Sequence, residues 1–152
     1  MKTLQSGDLA PQFSLLNQDN QLISLSDFKG KKVLVYFYPK ALTPGCTTQA
    51  CGLRDAKNEL EKLGVVILGI STDAPKKLAQ FVEKKALNFT LLSDEDHQVA
   101  EQFGVWGEKK LYGKTVTGLI RTTYIIDEDG MIEKVFPNVR AAYNAGKMLK
   151  EI

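Results

Sequence analysis

The chain has 152 residues, and its 20 Lys and Arg against 18 Asp and Glu leave a net charge of +2, which excludes a polybasic protein that binds nucleic acid or a membrane surface through bulk charge. Its 43% hydrophobic and 25% charged residues match an ordinary globular protein, so residues 1–152 are predicted to form one domain with a full core. The longest apolar runs hold six residues, far fewer than the ~20 that a membrane-spanning helix needs.

The first half of the chain predicts a hairpin followed by a β-α-β unit. Turn-forming residues at 17–20 separate two short apolar pieces within residues 13–25, which predicts an N-terminal β-hairpin. Continuous apolar runs at 33–38 and 65–70 are typical of central strands that are covered on both faces, and they predict strands at 33–38 and 65–71. Apolar residues recur between these strands at helical spacing: Ala50, Leu53, Leu60 and Leu63. The two strands should therefore be parallel, with a right-handed crossover.

The second half alternates further helices and strands. Pro75 suits the first turn of a helix, residues 89–92 predict a strand, and Asp94 is placed to cap a short helix that ends at Gly104. Two strands at 122–126 and 131–136 flank the turn-forming residues between them, which predicts an antiparallel hairpin.

Two segments of the second half remain. Residues 105–118 have no clean period and contain several glycines, which indicates a long surface excursion of the kind that often carries function. A terminal helix that covers the sheet is predicted by an apolar stripe: Ala141, Ala142, Ala145, Met148, Leu149 and Ile152.

The segment around Cys46 carries the clearest chemical signal. Residues 38–46 lead from the end of a buried strand into a helix, the place where open α/β sheets bind ligands. Thr43 is a good N-cap and Pro44 a good first helical residue, so Cys46 falls in the third helical position. The unpaired N–H groups and the helix dipole favour an anion there, and helix N-termini are among the sites that lower the pKa of a cysteine. Cys46 is therefore a candidate thiolate nucleophile.

Packing and metal binding explain the two cysteines less well than a role as reactive thiols does. A small buried cysteine can simply pack in a first helical turn, but the cap position and the second thiol at Cys51 favour chemistry. A zinc or iron–sulfur site normally needs three or four ligands, and the chain has two Cys and one His. The spacing is C-x₄-C, unlike the C-x-x-C of thioredoxin-type motifs. His97 is predicted to be a solvated helix-start residue and not a catalytic base.

The first residues of the chain bear on the cellular compartment in which the protein is expected. It has no apolar core of the kind that signal peptides carry, so a reducing cytoplasm is the expected compartment. A close pair of cysteines is there more often catalytic or metal-binding than a structural bridge.

Several segments carry a family resemblance. They are residues 7–13, 36–40, 43–51, 103–110 and 121–127. The pattern Pro-x-x-x-Thr-x-x-Cys from Pro39 to Cys46, followed by Cys51, is specific. On these residues the chain resembles the Q subfamily of peroxiredoxins, the bacterioferritin comigratory proteins. The resemblance implies a thioredoxin-like α/β fold, with a central mixed β-sheet flanked by helices, and a thiol peroxidase.

The resemblance also assigns roles to residues. Cys46 would be the peroxidatic cysteine, which hydrogen peroxide or an organic hydroperoxide oxidises to a sulfenic acid. Cys51 would be the resolving cysteine, which forms an intramolecular disulfide with it. Thr43 would hydrogen-bond the bound peroxide, Arg121 would hold the thiolate and polarise the O–O bond, and Pro39 would shield the site from water.

The same resemblance implies a reductant. In the family, thioredoxin or a similar dithiol reductant regenerates both thiols, and no metal or organic cofactor is implied; we expect a monomer. Ala41-Leu42 replaces the acidic or amide residues common in the family and makes the pocket rim more apolar. The main alternative is a thioredoxin-fold redox switch or chaperone without significant peroxidase turnover. A cysteine phosphatase would need Arg six positions after the nucleophile, where this chain has Gly52.

Overall fold

The computed structural model describes residues 4–111 and 113–136, which form two sheets flanked by helices. The elements follow in chain order: β1 (Ser14–Asn17), β2 (Leu22–Ser24), a short 3-10 helix (Leu25–Phe28), β3 (Lys32–Phe37), α1 (Pro44–Lys62), β4 (Val65–Ser71), α2 (Pro75–Lys85), β5 (Thr90–Ser93), α3 (Gln98–Gln102), β6 (Trp106–Leu111), β7 (Lys114–Leu119), β8 (Thr122–Ile126) and β9 (Ile132–Phe136). None of the described helices combines the length and the apolar character needed to cross a bilayer. The predicted terminal helix lies outside the described residues.

The main sheet has seven strands in the spatial order β2, β1, β5, β4, β3, β8, β9. The pairs β3–β4 and β4–β5 are parallel, and the remaining pairs are antiparallel, so the sheet is mixed as predicted. The β-α-β unit is confirmed, because α1 connects the parallel strands β3 and β4. The N-terminal hairpin is also confirmed, and Asn17 Oδ1 stabilises its turn by accepting the backbone N–H groups of Asp19 at 2.8 Å and Gln21 at 2.9 Å.

The central strand β3 is buried on both faces, which explains its continuous apolar run. Successive side chains of a strand point to opposite faces. Leu34 and Tyr36 therefore pack in the first core, under α1 and α2. Val35 and Phe37 pack in a second core with residues of α3, β6 and β7. The apolar stripe of α1 faces the first core except at Leu63. That residue is the C-cap and is 52% exposed, because the helix ends one residue earlier.

The predicted surface excursion at 105–118 has regular secondary structure. These residues form most of a two-stranded antiparallel ribbon, β6 and β7, with Trp106 opposite Leu119. A sheet of two strands buries few side chains on a core, so its described residues are largely polar or glycine and show no clear period. Gly113, at φ +77°, lies in the turn that joins the strands, where glycine takes a left-handed conformation at little cost.

The start of α3 differs in one detail from the prediction. Asp94 caps the helix as predicted, because its carboxylate accepts the backbone N–H groups of Val99 at 3.2 Å and Ala100 at 2.9 Å. His97 is indeed the residue before the helix. Its ring is not simply solvated, however, since it stacks on the Trp106 ring with the centroids 4.0 Å apart. This contact joins α3 to the β6–β7 ribbon.

Gly69 on β4 is expected to tolerate no side chain. It lies opposite Tyr36 on β3, and an added Cβ would stand 2.8 Å from two carbons of the Tyr36 ring and 2.9 Å from Leu91. Gly69→Ala should therefore lower the free energy of unfolding by about 1–3 kcal/mol, as overpacking of a core does. Denaturant titration measures this change.

Gly52 provides the matched control. It lies inside α1, and no described atom comes within 4 Å of an added Cβ. Gly52→Ala should raise the free energy of unfolding by up to about 1 kcal/mol, because alanine is the better helix former. An unchanged stability of the Gly69→Ala variant would show that the Tyr36 ring does not pack against this strand.

Candidate active site

The first turn of α1 presents Cys46 in a buried position. Thr43 is the N-cap with extended backbone angles, Pro44 is the first helical residue, and Cys46 is third, as predicted. The Cys46 side chain is 2% exposed. Thr43 makes no side-chain capping bond among the described residues, and its hydroxyl instead donates to the carbonyl oxygen of Lys40 at 2.8 Å. Cys46 Sγ therefore lies where the helix N-terminus and its dipole favour a negative charge.

The structure brings Arg121 to this thiol. Arg121 directly precedes β8, which pairs with β3 so that Thr122 lies opposite Phe37, at the end of β3 that leads toward α1. Its Nη2 donates to Cys46 Sγ at 3.2 Å, although the two residues are 75 positions apart in the sequence. Arg121 is half-buried. A cation held this close stabilises a thiolate more than a neutral thiol.

Gln49 is a site residue that the sequence interpretation missed. It lies one helical turn after Cys46, is 4% exposed, and accepts Arg121 Nη1 on its Oε1 at 2.6 Å. The contact fixes the guanidinium beside the sulfur. Gln49 Nε2 has no hydrogen-bond partner among the described residues. A polar residue three positions after the candidate nucleophile, next to the apolar stripe of α1, was the available signal.

Lys109 on β6 adds a second cation near the site. Its Nζ donates to the carbonyl oxygen of Leu119 on β7 at 2.6 Å. Burial lowers the pKa of the Lys109 ammonium group, the positive charge of Arg121 lowers it further, and Cys46 acts in the opposite direction. The ribbon therefore lies within electrostatic range of the Cys46–Arg121 pair. Lys109 belongs to one of the segments that carry the family resemblance, but no local pattern marked it.

Tyr36 forms part of the apolar surroundings of the thiol. It belongs to the same core as Cys46, is 1% exposed, and its ring stacks on that of Tyr38 with the centroids 5.3 Å apart. Burial raises the pKa of the Tyr36 hydroxyl well above its ordinary value, and Tyr38 and Cys46 act in the same direction. The hydroxyl therefore stays neutral at physiological pH and cannot serve as a base.

The second thiol is not within bonding geometry of the first. Cys51 is half-buried, both cysteines are free, and one continuous helix carries them. Five residues along an ideal α-helix separate two Cα atoms by about 8.7 Å, whereas a disulfide normally needs about 4.4–6.8 Å.

Pro39, the remaining predicted site residue, follows β3 by two residues and is half-buried.

One helical turn beyond Cys51, α1 is tied to the end of α2. Arg54 Nη1 donates to the carbonyl oxygen of Lys85 at 2.7 Å, and Asn88 Nδ2 donates to the carbonyl oxygen of Arg54 at 3.2 Å. We call these two hydrogen bonds the Arg54 clamp.

In the described part of the chain, no group of three or more His, Cys, Asp or Glu side chains is arranged to hold a metal ion.

The sequence has clear relatives. A model of the AhpC/TSA family matches residues 6–135. Peroxiredoxin Bcp of Escherichia coli strain K12 is 62% identical over 142 residues, which cover 93% of this chain and 91% of that protein. A bcp relative from Haemophilus influenzae is 70% identical over 136 residues, which cover 90% and 88%.

Solved structures agree with this similarity. Peroxidoxin BcpB of Mycobacterium tuberculosis has a TM-score of 0.85 at 36% identity and covers 97% of this chain and 95% of its own. The bacterioferritin comigratory protein of Xanthomonas campestris, described with respect to alkyl peroxide reduction, has a TM-score of 0.86 at 32% identity, with 91% and 88% covered. These likenesses confirm the thioredoxin-like fold. The chain belongs to the AhpC/TSA family and, within it, to the Q subfamily of peroxiredoxins, which makes it a peroxidase and an oxidoreductase.

Proposed function

We propose that Cys46 is the peroxidatic cysteine and that it reduces hydrogen peroxide and organic hydroperoxides. The observation that carries the proposal is the 3.2 Å contact between Arg121 Nη2 and the buried Cys46 sulfur. The thiolate sulfur attacks one peroxide oxygen and the O–O bond breaks. Cys46 becomes a sulfenic acid, and the departing oxygen takes a proton and leaves as water or an alcohol.

The surrounding residues support this first step. Arg121 stabilises both the thiolate and the negative charge that develops on the departing oxygen. Thr43, at the helix start, would hydrogen-bond the peroxide, and Pro39 would keep water out. Ala41 is buried and Leu42 packs against the core. This apolar rim, together with the alkyl peroxide reduction described for the Xanthomonas relative, favours organic hydroperoxides among the substrates.

Cys51 completes the cycle in this proposal. Its thiolate attacks the Cys46 sulfenic sulfur, an intramolecular disulfide forms, and the sulfenic oxygen leaves as water. Thioredoxin or a similar dithiol then reduces the disulfide by exchange through a mixed disulfide, becoming oxidised itself. The proposal also retains a monomer of one domain, residues 1–152, acting in the cytoplasm.

A coupled assay tests the proposal. NADPH oxidation is followed with thioredoxin and thioredoxin reductase, against hydrogen peroxide and two organic hydroperoxides. Sustained turnover that depends on both the enzyme and thioredoxin is expected. The alternative, a redox switch or chaperone, would form the disulfide once and show no NADPH consumption beyond that equivalent. Equal rates with wild-type protein and with Cys46→Ser would contradict the role of Cys46.

Oxidation is expected to unwind the beginning of α1. Because the helix holds the two Cα atoms too far apart for a disulfide, at least one turn must open before the sulfurs meet. Local opening near a helix end costs little compared with global unfolding, and Gly45 and Gly52 weaken this segment. Hydrogen exchange on the reduced and oxidised forms should show loss of amide protection across residues 45–55.

Two controls define this experiment. Helix α2 should keep its protection in both forms, because it holds no cysteine. Peroxide-treated Cys51→Ser protein cannot form the intramolecular bridge and should also keep its protection across residues 45–55. Equal protection of reduced and oxidised wild-type protein, with the disulfide established by mass spectrometry, would show that the cysteines pair without unwinding.

A further inference from the structure

The loop at residues 38–43, which connects β3 to α1, holds an unfavourable backbone conformation. Leu42 has φ +65°, in the left-handed region that residues with a side chain rarely adopt. Its neighbour Ala41 is 2% exposed and packs in the same core as Cys46. Strain of this kind persists only where other contacts fix the backbone. The loop therefore needs an anchor.

Asp73, two residues after the end of β4, supplies that anchor. The backbone N–H of Ala41 donates to Asp73 Oδ2 at 2.7 Å, and the hydroxyl of Ser71, at the end of β4, donates to the same oxygen at 2.9 Å. Hydrogen bonds to a carboxylate are shorter and stronger than those between neutral groups. The carboxylate thus joins the active-site loop to the end of β4.

Asp73 is itself held in place. Its backbone N–H donates to Ser71 Oγ at 3.3 Å, and its carbonyl oxygen accepts the hydroxyl of Ser93, on β5, at 2.6 Å. Ser71 and Ser93 lie opposite each other in the parallel pair β4–β5, and both are buried. The ends of β4 and β5 therefore form a fixed support for the carboxylate, and through it for the loop after β3.

We propose that Asp73 is a positioning residue for peroxide attack, a role that rests on the proposed function of Cys46. It acts through the Ala41 amide, which fixes where Pro39 and Thr43 stand relative to the sulfur. The contacts of Cys46 itself come from elsewhere, because Arg121 reaches it from the start of β8. Loss of the carboxylate should therefore disturb the peroxide pocket and leave the reactivity of the thiolate largely intact.

Two reactions of reduced Cys46 separate these effects. Peroxide attack needs the aligned pocket, whereas alkylation by iodoacetamide, followed at the Cys46 peptide by mass spectrometry, needs only the thiolate and a path to it. Asp73→Ala should slow the single-turnover peroxide reaction by about 10- to 100-fold, the range that a displacement of about 1 Å produces. Cys46 is 2% exposed and a loosened loop would expose it further, so alkylation should not become slower. Asp73→Asn keeps an acceptor oxygen of the same size without the charge and should fall between wild type and Asp73→Ala.

Matched variants complete the test. Asp19→Ala removes an exposed carboxylate from the distant hairpin turn and should match wild type in both reactions. If Asp73→Ala does not fold, as judged by circular dichroism, Asp73→Asn decides by the same comparison. Unchanged peroxide rates, or a fall of both rates by the same factor, would overturn the positioning role. Peroxide consumption that survives Cys46→Ser would instead remove the proposed function, whatever the Asp73 variants do.

Discussion

Cys46→Ser is expected to abolish peroxide reduction, whereas Cys51→Ser should consume about one peroxide per chain and then stop, because a sulfenic acid without a resolving thiol accumulates. The proposed roles of the two cysteines rest on their positions. Cys46 is buried at the helix start with Arg121 at 3.2 Å, and Cys51 lies further along the helix and is half-buried. Peroxide consumption with limiting enzyme measures both outcomes.

Labelling of the sulfenic acid identifies the cysteine that reacts first. Dimedone added with peroxide, followed by mass spectrometry, should give an adduct on Cys46 in the Cys51→Ser protein. The doubly substituted protein, lacking both thiols, serves as the control for non-specific labelling. An adduct on Cys51 of the wild-type protein before any on Cys46 would reverse the assignment of the two roles.

Arg121→Met should slow peroxide attack by about 100- to 1,000-fold, the usual cost of removing one donor that stabilises developing negative charge. Methionine preserves the length of the side chain and loses the cation beside the sulfur. Lys109 should not replace the lost guanidinium, since its Nζ is held at the Leu119 carbonyl of the ribbon. Stopped-flow kinetics measures the rate of peroxide attack.

Thr43→Val is the comparison variant for Arg121→Met. A hydroxyl contributes a hydrogen bond and no net charge, so its loss should slow peroxide attack by a smaller factor than the loss of the guanidinium. Thr43 Oγ1 now donates to the Lys40 carbonyl, and that bond would be lost too. An Arg121→Met protein with an unchanged rate of peroxide attack would show that the Arg121–Cys46 contact has no role in catalysis.

The sequence predicted the elements whose burial leaves a local pattern. Strands β3 and β4 are covered on both faces and therefore appear as continuous apolar runs. The start of α1 was predictable because an N-cap and a proline have fixed roles at a helix terminus. The β6–β7 ribbon was missed because its two strands, with little core behind them, leave no such periodicity.

The contacts within the site could not be predicted from local sequence patterns. Arg121 meets Cys46 because β8 pairs with β3, a long-range pairing that no spacing near either residue reveals. Only the family resemblance placed Arg121 in the site. Gln49 binds the Arg121 guanidinium, and Lys109 lies within its electrostatic range, only because the same strands and helix come together in the fold. Neither interaction could be predicted from the neighbouring sequence.

The Arg54 clamp has a consequence for the speed of the redox cycle. It holds α1 to α2 just beyond Cys51, and the Ala41–Asp73 bond holds the chain just before the helix. The amides of residues 54 and 55 lose protection on oxidation even while the clamp holds, because their acceptors in the helix are the carbonyl groups of residues 50 and 51. A segment released between two fixed ends is a short closed loop and not a free tail, so little additional entropy is lost when it becomes helical again. Helix–coil relaxation takes about 1 μs or less for such lengths. The reduced segment should therefore become helical again far faster than the protein meets a reductant. Each catalytic round would then begin from a fully restored pocket.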